Sequence, residues 1–218
     1  MGGIKRQSKN DIYSNPLLER YASKEMSHVF SPDFKFSTWR KLWVALAECE
    51  SELGLPITRE QVNEMKEHLT DIDYGAARNY EATTRHDVMA HILAYGDRCP
   101  AAKPIIHLGA TSAFVGDNTD LIQMKGAAII LLRRLSAVIF ALKKFALKNK
   151  DLATLGFTHF QPAQLTTVGK RASLWLYEMV MDYTALEQYC ASLPFLGVKG
   201  TTGTQASYMS LFEAMRPR

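Results

Sequence analysis

The chain has 218 residues, 47% of them hydrophobic and 22% charged, which is enough apolar material for a sizeable core and too much for a disordered chain. Its 26 Lys and Arg against 22 Asp and Glu leave a formal charge of +4 and a pI near 8.9, a dispersed excess that suits a small anionic substrate and lacks the dense basic footprint of a nucleic-acid binder. No apolar run approaches the roughly 18 residues that span a bilayer, and Met1 to Asp11 is basic without the apolar centre of a signal peptide, so the expected compartment is the cytoplasm.

Cys49, Cys99 and Cys190 are odd in number, far apart and without the paired spacing of a zinc site. Cys49 and Cys190 fall on apolar helical stripes, and buried free thiols are the expectation.

The first thirty residues are polar, with Pro16 and Pro32 as punctuation, and read as an arm or loop. From Ser37 the spacing of Trp39, Leu42, Trp43, Leu46 and Leu53 predicts a helix that Gly54 and Pro56 stop. Thr58 and Gln61 have the spacing of a capping box and open a second helix through Val62, Met65 and Leu69. Another helix is expected from Thr84, as its cap, through Val88, Met89, Ile92 and Leu93 to Gly96. Arg85, His86 and Asp87 then occupy a helix start, where unpaired amides and the dipole favour a phosphate.

From about Asn118 to Lys148 one stripe carries Leu121, Ala128, Leu132, Leu135, Ile139, Leu142 and Ala146, with Met124, Leu131, Val138 and Phe145 beside it. A second pattern runs from Gln164 to about Leu193. Two long helices with wide apolar faces cannot bury themselves as a pair, so they imply a larger bundle. The predicted class is all-α, with a small N-terminal helical domain over 1–111 and the first long helices of an incomplete central bundle over 112–218.

Between these helices lies a polar stretch, Thr154 to Gln164, read as a loop held by a rigid scaffold. It contains His159, whose imidazole titrates where acid–base catalysis needs it; taken alone, a loop histidine is more often a surface or satisfied residue. His86 and His91 are five apart, wrong for one helix face, and no metal is expected. The Gly197–Thr204 stretch lacks the Lys-Ser/Thr pair and preceding strand of a phosphate loop and reads as a turn. His28, His68 and His107 have no second feature in their favour.

Several blocks, in order, resemble the adenylosuccinate lyases of the fumarase and aspartase superfamily: Glu19 to Ser23, Thr38-Trp39-Arg40, Arg85 to His91, His107 to Ser112, Val115 to Asp120, Leu155 to Arg171, and Gly197 to Ser207. The resemblance implies loss of fumarate from adenylosuccinate, giving AMP, and from the succinyl-carboxamide ribotide of purine synthesis, without cofactor or metal. It implies that His159 is the general acid, with Thr158 beside it on a substrate carboxylate. Arg20, Tyr21, Arg85, His86 and Asp87 would hold the phosphate and orient the substrate. Thr111 and Ser112 would bond the succinyl carboxylate, for which hydroxyl donors are suited. It also implies a homotetramer whose bundle and active sites are shared between chains. Argininosuccinate lyase is the neighbouring substrate class, against which the Arg85–Asp87 and Arg20–Tyr21 blocks argue.

The family's base is a serine on a Ser-Ser-x-Met-Pro-x-Lys-x-Asn loop, and no such stretch occurs in these 218 residues. The resemblance ends near Leu211–Glu213, and Ala214 to Arg218 does not continue it. A fragment, a truncated isoform and a misjoined gene model all fit that pattern. A catalytically silent helical partner of a full-length enzyme is the alternative in another functional class.

Overall fold

The computed structural model describes residues 13–214. The leader reading of Met1–Asp11, and most of the closing stretch that departs from the family pattern, fall outside those residues.

Short capped helices form the first half. A π-helical turn at Leu17–Tyr21 leads to α1, Lys24–Val29, whose Ser23 cap accepts from the Met26 amide. Helix α2, Pro32–Glu52, starts five residues earlier than the apolar spacing suggested, because Ser31 caps it and Pro32 takes the first helical position, where a missing N–H costs nothing. The first thirty residues are thus partly helical, not a plain arm. The Thr58–Gln61 capping box opens α3, Arg59–Glu67, with both reciprocal bonds formed. Helix α4, Tyr74–Thr84, was not expected; it ends at Arg85, which caps it at φ 53. Thr84 therefore closes one helix, and His86 caps the next, α5, Asp87–Arg98.

These helices enclose a core around Trp39, Trp43, Met65, Tyr95 and Cys99, all fully buried. Arg40, 2% exposed, lies over the Tyr95 ring and reaches the His68 carbonyl and Asp71. Asp71 also accepts from His68 at 2.7 Å, and His91 stacks on Phe36 with ring centroids 3.8 Å apart. Cys99 and Cys190 are buried free thiols, but Cys49 is exposed, on the edge of its apolar stripe.

Helix α6, Ala113–Lys148, has 36 residues and is about 54 Å long at 1.5 Å per residue. Helix α7, Val168–Ser192, runs back along it. At one end Gly169 donates to the Asn149 carbonyl; at the other the Asn118 side chain bonds Leu196. The principal α6 stripe is half-buried or buried along its length, whereas Met124, Leu131, Val138 and Phe145 stand 43–51% exposed. A last helix, α8, is Ala206–Glu213, and the turns at Gly197–Gln205 precede it.

The connection between α6 and α7 is not a loop. It is an antiparallel hairpin of β1, Ala153–Thr158, and β2, Gln161–Thr167, with Ala163 and Gln164 bulged opposite Gly156. The described residues are mostly helical, as the sequence implied, with one small sheet added among them. No helix among the described residues is long and apolar enough to cross a membrane.

Candidate active site

His159 and Phe160 form the two-residue turn of the hairpin, at φ 49 and 60. Both thus adopt the left-handed conformation that such turns require and that non-glycine residues resist. The His159 side chain is exposed, and nothing among the described residues bonds it. Thr158 pairs with Gln161 across the turn and lines an open groove of about 860 Å³ with Gln164, Thr166, Lys170 and Arg171. Thr167 caps α7 by accepting from the Lys170 amide, and the Arg171 guanidinium donates to the Leu155 carbonyl at 3.1 Å, tying the hairpin to the helix. The groove carries two cations and several hydroxyl and amide groups, fitting for a carboxylate.

The Arg85–Asp87 group stands at the junction of α4 and α5. The His86 Nδ1 accepts from the Met89 amide at 3.4 Å, and the Asp87 carboxylate accepts from Val88 at 2.8 Å. Side chains thus already occupy two of the first-turn amides, leaving the exposed Arg85 and His86 side chains as the groups free to meet an anion. His86 lies close to His107, whose imidazole is pushed down to about 4, chiefly by burial and secondly by His86. The Trp43 indole N–H donates to His107 Nδ1 at 2.9 Å, fixing it as a neutral imidazole. His107 is thereby a half-buried, partnered residue. Its recognition partner is 64 residues away in sequence, so spacing gave no sign of it.

Thr111 and Ser112 precede α6 and are half-buried. The Thr111 amide donates to the Lys199 carbonyl at 2.9 Å, and Ser207 Oγ donates to the Gly109 carbonyl at 2.6 Å. The Gly197–Ser207 segment therefore holds the Leu108–Ser112 turn.

Arg20 and Tyr21 are exposed, just before α1. Glu25 pairs with Arg133, and the Gln123 side chain donates to the Val29 carbonyl, so α1 lies against the middle of α6. The nine expected site residues consequently occupy three places along α6. Arg85–Asp87 and Thr111–Ser112 share its start, Arg20–Tyr21 flank its middle, and Thr158–His159 lie beyond its end. Even with the hairpin folded back by about 20 Å, a 54 Å helix keeps His159 roughly 30 Å from Thr111. One chain does not bring them together. No group of three or more His, Cys, Asp or Glu side chains suited to a metal occurs among the described residues.

The overall fold superposes on solved structures of enzymes. The structure of 3-carboxy-cis,cis-muconate lactonizing enzyme from Pseudomonas putida superposes with a TM-score of 0.78 at 25% identity, covering 92% of this chain and 48% of that one. A fumarate lyase from Mesorhizobium superposes with a TM-score of 0.77 at 23% identity, over 85% and 44%. Residues 55–213 match the family described as lyase, and the chain belongs to that family. Within it, the chain is 54% identical to adenylosuccinate lyase of Saccharomyces cerevisiae over 93% of its own length and 42% of the relative's. It is 52% identical to that of Schizosaccharomyces pombe over 92% and 42%. The chain thus spans less than half the length of the curated relatives it matches.

Proposed function

We propose that these residues form the acid-bearing part of an enzyme that eliminates fumarate from adenylosuccinate, giving AMP, and from the succinyl-carboxamide ribotide of purine synthesis, in the cytoplasm. The observation that carries this is the 54% identity to a relative named adenylosuccinate lyase along 93% of the chain. His159 protonates the departing nitrogen, and Thr158 bonds a carboxylate beside it. Arg20, Tyr21, Arg85, His86 and Asp87 hold the phosphate and orient the nucleotide, and Thr111 and Ser112 hold the succinyl carboxylate. The base that takes the Cβ proton is a serine on a segment these residues do not include. No cofactor takes part. The division into a helical unit over 1–111 and a bundle portion over 112–218 belongs to the same proposal.

The separation along α6 supports a shared site, in which the hairpin of one chain meets the α5 and α6 starts of another. The exposed row of Met124, Leu131, Val138 and Phe145 supports a tetrameric bundle as its setting.

The test is a chimera in which these residues replace the corresponding part of the Saccharomyces cerevisiae relative. We expect fumarate release from adenylosuccinate, lost by a factor of 10² or more on His159→Ala with little change in KM. A folded, tetrameric chimera with no turnover would overturn the reading, and turnover that survives His159→Ala would remove His159 from the acid role. Full activity of the 218-residue chain by itself would show that its base lies within it.

A further inference from the structure

Helix α8 closes over α2 imperfectly. A cavity of about 250 Å³ remains between them, walled by Leu46, Cys49 and Leu53 of α2 and by Val198, Tyr208 and Phe212. Glu50, in the same wall, is 2% exposed, and neither carboxyl oxygen has a hydrogen-bond partner among the described residues. A buried ionised carboxylate without a partner is strongly disfavoured, so the group holds its proton instead. Tyr208 faces it from α8: burial, and then Glu50, push the Tyr208 hydroxyl above its ordinary range. The other acids of that stretch of α2, Glu48 and Glu52, line a separate groove with Arg59 and Lys66. Lys199 borders a different small cavity beside Thr111, and His107 is paired with Trp43.

Helix α8 also grips the turn that precedes α6. Ser207 Oγ donates to the Gly109 carbonyl at 2.6 Å, and the Tyr208 hydroxyl donates to the Leu108 carbonyl at 3.5 Å. Gly109, at φ 64, comes so close that a Cβ there would meet the Tyr208 ring at 2.8 Å. Just upstream of α8, the Lys199 carbonyl accepts from Thr111.

We propose that α8 is a pH-sensitive latch: ionisation of Glu50, buried without a partner beneath Tyr208, releases α8 and with it the Leu108–Ser112 turn. Its bearing on catalysis rests on the role given above to Thr111 and Ser112, whereas the latch itself does not. When α8 lifts, water reaches the carboxyl and restores its ordinary acidity of 4.5; when α8 is seated, burial raises it to about 7. Between those values the open form loses its proton while the closed form keeps it, so opening is favoured as pH rises. Linkage of the two values makes the opening constant grow about tenfold from pH 6 to pH 8.

Amide hydrogen exchange on the full chain, corrected for the intrinsic pH dependence of exchange, reads this without substrate. Protection of residues 206–212 and of the Thr111 amide should fall about tenfold from pH 6 to pH 8 relative to Val62 and Met65 in α3. In Glu50→Gln, which keeps the shape and cannot ionise, protection should stay level. Unchanged α8 protection in the unsubstituted chain would overturn the latch. So would an equal loss in α3, which reports global opening, or a loss that persists in Glu50→Gln. Failure of the chimera to release fumarate leaves this readout untouched, so the two proposals fail separately.

Discussion

The Asn118 carboxamide bonds both backbone groups of Leu196, its Nδ2 donating to the carbonyl at 3.2 Å and its Oδ1 accepting from the amide at 2.9 Å. Asn118 is 2% exposed, so this pair fixes where the chain leaving α7 returns to the start of α6. Asn118→Ala should cost about 2–3 kcal/mol, because it leaves two backbone groups without partners. Asn118→Asp keeps one bond and buries a charge, and should be worse at pH 8 than at pH 5. Urea unfolding at the two pH values checks both; an Ala variant within 0.5 kcal/mol of the parent would show that the pairing is dispensable.

The other end of the helix pair depends on Gly169. A Cβ there would lie 2.4 Å from the Ala146 carbonyl and 2.7 Å from the Lys150 Cα, both rigid backbone. Gly169→Ala should therefore push α7 away from α6 and cost about 1–3 kcal/mol, the range for overpacking, despite alanine's better helix propensity. Circular dichroism would show the helix content retained while the unfolding midpoint falls. An unchanged or raised midpoint would mean that the crossing is looser than its geometry.

Features whose partners lie within one helical turn were legible in the sequence, and those whose partners lie far along the chain were not. Thr58 and Gln61 satisfy each other within one turn, so their capping box was legible, as were the α6 and α7 stripes. Pro32 looks like a break in the sequence because its place as first helical residue depends on Ser31 and the apolar face behind it. Helix α4 buries only Ala77 and so shows no stripe. The hairpin has no alternation to find, since most of its residues are exposed on both faces. The likeness to a family was legible in blocks of contiguous residues. The separation of the expected site residues along α6, the Trp43–His107 bond and the orphaned Glu50 were not, because each depends on positions far apart in sequence.

Glu50 and His91, which are buried, and His107, which is half-buried, bind protons differently in the folded and unfolded chain between pH 5 and 6. Burial, and then Arg40, push His91 down to about 4; burial, and then His86, do the same to His107. From their ordinary 6.5 down to about 4, the unfolded chain binds these two protons and the fold does not, so stability is lost as pH falls through that window. Glu50 works the other way: the fold holds its proton from 4.5 up to about 7, so its contribution is lost as pH rises. Near pH 5.5 the net difference is about one proton, giving a slope of about 1 kcal/mol per pH unit. Glu50→Gln removes the opposing group and should steepen the slope to about 2.5. Urea unfolding between pH 5 and 6 measures both slopes, and identical slopes would show that Glu50 ionises normally in the fold.

The hairpin turn stores strain beside His159, the proposed acid. Phe160 sits at φ 60 with its ring fully exposed, so it bears the left-handed penalty, about 1–2 kcal/mol for a non-glycine residue, and gains no packing in return. Phe160→Gly should stabilise the chain by about 1 kcal/mol, seen as a raised midpoint in thermal or urea unfolding. Strain kept where glycine would relieve it is characteristic of functional positions. In the chimera described above, the same substitution should therefore lower turnover while it raises stability, because the mobile glycine no longer holds the neighbouring His159 backbone in place. A destabilised variant would mean that the ring packs in solution, and a stabilised variant with unchanged turnover would remove the strain from the mechanism.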